Sequence, residues 1–246
     1  MWKVFVPALV AALVATPVTA DSGWQPLITA ETLPGWTIEG ESKADFKIDG
    51  DVVRGQPVGN NPKNSFLCSP REYRNFDLAF AFRITPTTLN SGVQFRSRVR
   101  ADGIVAGPQL EMEVEDPSDV GFLKRWVYPT LVRLTDNPWR PRYWASGGIY
   151  GEGLETGWIY PGVAGGEADS FAEQGERITD PEGWNELRLL ADGSQVKTWL
   201  NGQERADFRY DRIDGPGLIC LQVHGGQYED PTQYKIEWKG LRIRER

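Results

Sequence analysis

Three short stretches hold most of the side chains in this chain that could do chemistry. GLICLQVHGG, residues 217–226, contains His224, the sole histidine among 246 residues, two places after Gln222. GPQLEMEVED, residues 107–116, sets Gln109, Glu111, Glu113 and Glu115 at every second position. NSGVQFRSRV, residues 90–99, places Gln94, Arg96 and Arg98 in the same rhythm after Asn90. An imidazole exchanges protons near neutral pH, and a carboxyl serves as general acid or base. Amides and guanidinium groups grip oxygen-rich ligands through paired hydrogen bonds. Tyr150, between glycines in GGIYGEG, adds an aromatic of the kind that lines a sugar site.

A spacing of two puts these residues on strands, where alternate side chains share a face. In LICLQVH, Ile219, Leu221 and Val223 fall on one side, and Leu218, Cys220, Gln222 and His224 on the other. Val93, Phe95 and Val99 likewise oppose Gln94, Arg96 and Arg98, and Leu110, Met112 and Val114 oppose Gln109, Glu111, Glu113 and Glu115. Side by side in one sheet, the three polar faces would form a polar concave surface. One such face alone is what any antiparallel sheet shows to water. The residue types argue for more, because solvated strands favour Thr, Lys and Ser, whereas these are bidentate hydrogen-bonders and titratable groups. Asn90-Ser91-Gly92 reads equally as a turn into a strand, and Trp184-Asn185 as a core tryptophan with a structural amide.

The elements that must position these residues are also strands. FDLAFAFRI alternates Phe76, Leu78, Phe80, Phe82 and Ile84 with smaller or polar residues. WNELRLLADGSQVKTWLNGQERADF is a β-meander, with Asp192-Gly193 and Asn201-Gly202 supplying the positive φ of tight turns. YKIEWKGLRIRE is a further strand, broken at Gly240, with Trp238, Leu241 and Ile243 for the core. No helical periodicity of useful length occurs after residue 20. The pattern predicts an all-β antiparallel sandwich or jelly roll with long loops. The longest irregular region, about Ser118 to Gly183, is rich in Gly, Pro and aromatics, including Trp126, Tyr128, Trp139, Tyr143, Trp144 and Trp158, and reads as site-forming loops.

Residues 1–20 have the layout of a secretory signal peptide: Lys3, an apolar run from Val4 to about Ala15, and Val18-Thr19-Ala20 before Asp21. The run is shorter than the ~20 residues of a spanning helix and is interrupted by Pro7 and Pro17. Residues 21–246 then form one domain, exported to the periplasm or secreted, without a membrane anchor. A formal net charge of −7 argues against a nucleic-acid partner or an anionic membrane surface. Cys68 and Cys220 would be in a compartment that permits a disulfide; spacing does not decide whether they pair.

The strings NSGVQFR, GPQLEMEVED, SGGIYGEGLETGWIYP, GWNELRLLADGSQVKTWLNG and GLICLQVHGG, with the opening WQPLITAETLPGWTIEG, together resemble the 3-keto-glucoside lyase/hydrolase family, in the family's order and over nearly all of residues 21–246. The resemblance implies a concanavalin A-like sandwich acting on 3-keto sugars or glycosides. A C3 ketone acidifies the hydrogen on C2; a base removes it, the enolate expels the group on C1, and water adds to the 3-keto-2-hydroxyglucal, giving net hydrolysis. Carried onto this chain, it makes Glu111 or His224 the base or acid and gives Arg96 the enolate or substrate positioning. Asn90, Gln94, Gln109, Glu113, Tyr150 and Gln222 are then the substrate-binding set. A facing carboxylate and imidazole could also hold a divalent cation; no other cofactor is implied. Family members often read Gly-Tyr-Glu-Val-Gln where this chain has Gly107-Pro108-Gln109-Leu110-Glu111, with Glu and Gln exchanged, and Val120 to Trp144 reads as an insertion.

Two other readings stand beside this one. A laminarinase-like retaining glycoside hydrolase would draw on Glu111, Glu113 and Glu115. Glu111 and Glu115 would lie roughly 13 Å apart along a strand at ~3.3 Å per residue, whereas a retaining pair needs carboxyls about 5 Å apart. A lectin-like module without catalysis is the second, since sandwiches host many such modules.

Overall fold

The computed structural model describes residues 23–59, 61–114, 144–226, 228 and 230–246. The signal-like segment, Glu115 and all of the insertion but Trp144 lie outside those residues. The strands in chain order are β1 (Gln25–Pro26), β2 (Thr37–Gly40), β3 (Ala44–Asp49), β4 (Val52–Pro57), β5 (Ser65–Cys68), β6 (Phe76–Thr85), β7 (Asn90–Val99) and β8 (Val105–Glu113). They continue as β9 (Ile149–Glu152), β10 (Gly157–Tyr160), β11 (Asn185–Asp192), β12 (Gln195–Leu200), β13 (Gln203–Arg209), β14 (Leu218–Val223) and β15 (Lys235–Glu245).

They form two antiparallel sheets, as the alternation predicts. One runs β13-β12-β11-β6-β15-β4-β3, with β1 also on β15; the other runs β10-β9-β8-β7-β14-β5-β2. The apolar parity of each strand meets that of the opposite sheet. Phe76, Leu78, Phe80, Phe82 and Ile84 of β6, with Leu187, Leu189 and Trp238 from its neighbours, face Val93, Phe95, Leu110, Met112, Ile219, Leu221 and Val223, all in one buried cluster. Burying each such side chain contributes about 1.5–3 kcal/mol, which fixes which face of each strand points inward. Asn201 and Gly202 take positive φ in the β12–β13 turn, and Gly240 does so where β15 shifts register.

Four expectations need correction. Ala168–Ile178 is an α-helix, α1, capped by the Glu167 carboxyl, which accepts from the Asp169 and Ser170 amides. Its buried stripe is only Ala168, Phe171 and Gly175, too thin and too small to register as helical periodicity. Trp184 is half-buried on the outer face, beneath Arg83 and Lys239, while Asn185 is the buried structural amide. Asn90-Ser91-Gly92 is the start of β7 rather than a turn. Val99 is 39 % exposed rather than core, for a reason that also displaces Arg96.

Candidate functional site

On the second sheet the predicted polar face assembles across four strands. Asn90, Gly92 and Gln94 of β7 stand opposite Glu113, Glu111 and Gln109 of β8. Gln94 is also opposite Cys220 of β14, and Gln109 is opposite Tyr150 of β9. This face is not an ordinary solvated one. Gln94 and Gln222 are 0 % exposed, Gln109 2 %, Glu111 4 % and Glu113 7 %, burial at which most polar groups have a hydrogen-bond partner.

Glu111 is the centre of that network. One carboxyl oxygen accepts from Gln109 Nε2 at 2.8 Å and the other from Asn90 Nδ2 at 3.2 Å. Gln109 Nε2 also reaches Gln222 Oε1 at 3.2 Å. Gly92 makes room for this: a Cβ there would stand 2.5 Å from Gln109 Cγ and Cδ. Burial pushes the Glu111 carboxyl up to about 8; the bonds from Gln109 and Asn90 oppose the shift, and the charges of Glu113 and Glu152 add to it. It is therefore mostly the neutral acid at pH 7. Gln109 Oε1 and Gln222 Nε2, one acceptor and one donor, are buried here without a hydrogen-bond partner.

His224 follows β14 and is exposed. Its Nδ1 lies 2.6 Å from the Gly225 carbonyl. A carbonyl can only accept, so Nδ1 carries a proton, and in the neutral form of the ring Nε2 is the open acceptor. Glu152 lies close enough for its charge to act on both Glu111 and His224. Burial raises the Glu152 carboxyl, while the bond from Asn64 Nδ2 at 3.0 Å and the nearby imidazole oppose the rise. Glu152 shares the parity of Tyr150 in IYGE, so the alternation contained it. Asn64, in the loop before β5, gave no comparable signal.

The remaining predicted residues divide. Tyr150 is half-buried and packs edge-on against Trp158 at 5.6 Å. Gln94 donates to the Val105 carbonyl at 3.2 Å, an anchor within the sheet. Glu113 continues the Glu111 face, its backbone paired in both directions with the Ser146 hydroxyl. Arg96 is placed elsewhere. It takes φ +52 at the irregularity between Gln94 and Arg98, which ends the simple alternation and turns its side chain to the end of the sandwich. Its guanidinium donates there to the carbonyls of Arg74, Gly193 and Ile213, each at 2.7 Å, and to Asn75 Oδ1 at 3.3 Å. It is a clamp for three loops and takes no part in the Glu111 network.

Cys68 and Cys220 stand directly opposite each other on β5 and β14, on the polar face, and are joined by a disulfide with Cα atoms 4.1 Å apart. Phe66, Val105 and Leu218 pack around them. Among the described residues, no group of three or more His, Cys, Asp and Glu side chains gathers in a way that could hold a metal ion.

Solved structures share this architecture. Two proteins of Parabacteroides distasonis provisionally described as glycosyl hydrolases match with TM-scores of 0.54 and 0.52, at 19 % and 16 % identity. Each match covers 91 % of this chain, with 94 % and 99 % of the respective partner. A Bacillus subtilis protein of unknown function with a galectin-like fold matches at TM-score 0.55 and 11 % identity, over 90 % of this chain and 94 % of its own. At such identities the likeness establishes the fold. No curated protein sequence matches the chain. The family model of the 3-keto-alpha-glucoside-1,2-lyase-like domain matches residues 23–244, nearly all of the chain, and the protein with this buried carboxyl in its amide cradle belongs to that family.

Proposed function

We propose that the protein cleaves 3-keto-glucosides by β-elimination and hydrates the resulting 3-keto-2-hydroxyglucal, with net hydrolysis. The observation that carries this reading is the Glu111 carboxyl, held near pKa 8 by burial beside Gln109 and Asn90, with Glu152 within charge range of it and His224 within charge range of Glu152. Elimination needs a base at C2, a donor for the developing enolate oxygen, and an acid for the leaving group. His224 Nε2 is the base, because Nδ1 is committed to the Gly225 carbonyl. Glu111, as the neutral acid, donates to the enolate or to the departing C1 oxygen. Once deprotonated, it is placed to activate the water that adds to the glucal. Asn90, Gln109, Gln222 and Tyr150 hold sugar hydroxyls, and the partner class is a small 3-keto sugar or glycoside.

Export is part of the same proposal. It is supported by the signal-like residues 1–20 and by a disulfide of the kind that persists in oxidising compartments. The test is to incubate the purified protein in deuterated water with a 3-keto-glucoside and, separately, its unoxidised parent, and to follow products by mass spectrometry. Cleavage of the keto substrate alone, with deuterium at C2, is expected. Cleavage of the parent sugar, or binding without turnover of either, would overturn the elimination reading.

A further inference from the structure

His224 is fastened from every side available to its turn. The peptide between His224 and Gly225 presents its N–H to Asn64 Oδ1 at 2.7 Å. The next peptide accepts from His224 Nδ1 at 2.6 Å and gives its own N–H, that of Gly226, to the Asn61 carbonyl at 2.6 Å. Tyr228 Oη donates to the His224 carbonyl at 2.6 Å. The two segments touch closely enough that a Cβ on Gly225 would stand 2.6 Å from the Lys63 backbone, so glycine is required there.

Asn64 is the member of this set that reaches the other side of the site. Its Nδ2 donates to Glu152 Oε1 at 3.0 Å while its Oδ1 accepts from Gly225. An amide flip would set Oδ1 against the carboxyl and Nδ2 against an N–H, so the Glu152 contact fixes which end faces Gly225. The result is a pair of hydrogen bonds that ties Glu152 through Asn64 to the Gly225 amide, with His224 Nδ1 held on the carbonyl of the same residue.

We propose that Asn64 is a positioning residue for His224: by tying the Glu152 carboxyl to the Gly225 backbone it keeps the ring with Nδ1 protonated and Nε2 open. This rests on the reading of His224 as the base, but its main test does not. The chain has one histidine, so ring-15N-histidine labelling of the full-length protein reports His224 alone. The wild type is expected to show the Nδ1-protonated tautomer. Asn64→Ala, which removes both contacts, and Asn64→Asp, which keeps the acceptor for Gly225 and sets two carboxyls together, are each expected to shift the spectrum towards a tautomer mixture. With a 3-keto-glucoside, both should lower kcat by about tenfold or more, a part of the roughly 10²- to 10⁴-fold that a positioned base contributes, with KM changed much less. Folded variants with the wild-type tautomer and wild-type kcat would overturn the proposal. A tautomer shift in the variants of a protein that never turns over the keto substrate would leave the positioning role standing and sink the elimination reading instead.

Discussion

Glu111 and Arg96 show how one parity can carry opposite roles. Glu111→Gln keeps the shape of the side chain and its acceptor for Gln109, but removes the transferable proton; turnover of a 3-keto-glucoside is expected to fall on the order of 10²- to 10⁴-fold. The same substitution has a signature in stability. The folded carboxyl is raised from its ordinary 4.5 to about 8, so the folded state binds the proton more tightly than the unfolded one. Stability attributable to this group is complete below the unfolded value and falls as pH rises towards the folded one, by about 1.4 kcal/mol per pH unit at most. Urea denaturation from pH 5 to 8 should show that decline in the wild type and its loss in Glu111→Gln. Arg96→Met is expected to do the reverse. Three loop carbonyls lose a cationic donor, at a cost on the order of 3 kcal/mol, while kcat/KM of the folded protein is unchanged.

Between strands, the cradle depends on a missing side chain. Gly92 faces Glu111 across β7 and β8, and Gln109 lies in the space above it. Gly92→Ala is expected to drive Gln109 off both Glu111 and Gln222, costing about 1–3 kcal/mol of stability; steady-state kinetics should show at least a tenfold fall in kcat/KM. The sequence made most of this face legible, because β8 and β14 alternate without interruption and their apolar parity is 0–1 % exposed. In β7 the reading fails after Phe95. Cys220 pairs with Gln94 but Leu218 pairs with Ser97, so β7 carries an extra residue there. The distortion rests on Arg96 in the left-handed region, a conformation uncommon outside glycine and therefore without a local signature. Asn64 was illegible for a different reason: its partners, Glu152 and Gly225, are distant in sequence, and no periodicity links a loop amide to them.

Across the whole molecule, the opposite sheet supplies the acid limb of stability. Asp77, 0 % exposed, holds Arg188 of β11 and Arg244 of β15 together with Arg246, and Glu237 holds Arg54 and Arg83. Burial would raise both carboxyls, but the guanidinium hydrogen bonds outweigh it and leave both below their ordinary values. Their contribution is present above the unfolded values of 3.8 and 4.5 and is lost as pH falls below them. With Glu111 eroding stability in the alkaline direction, the denaturation midpoint is expected to peak at about pH 5, and Asp77→Asn should flatten the acid side. Reducing the disulfide, whose cysteines are 152 residues apart, should lower stability by roughly 4 kcal/mol and the melting temperature by about 10 °C, measured by calorimetry with and without dithiothreitol. That bond has a second consequence. Cys68 and Cys220 meet only in the register that also sets Gln222 on the face of Glu111 and ends β5 and β14 beside Asn64 and His224. A slip of one residue would turn Cys220 towards the core and carry Gln222 with it. Once formed, the bond pins β5 and β14 in the one alignment that keeps Gln222 with Glu111 and Asn64 beside His224, so a link in the sheet also guards the geometry of the polar face.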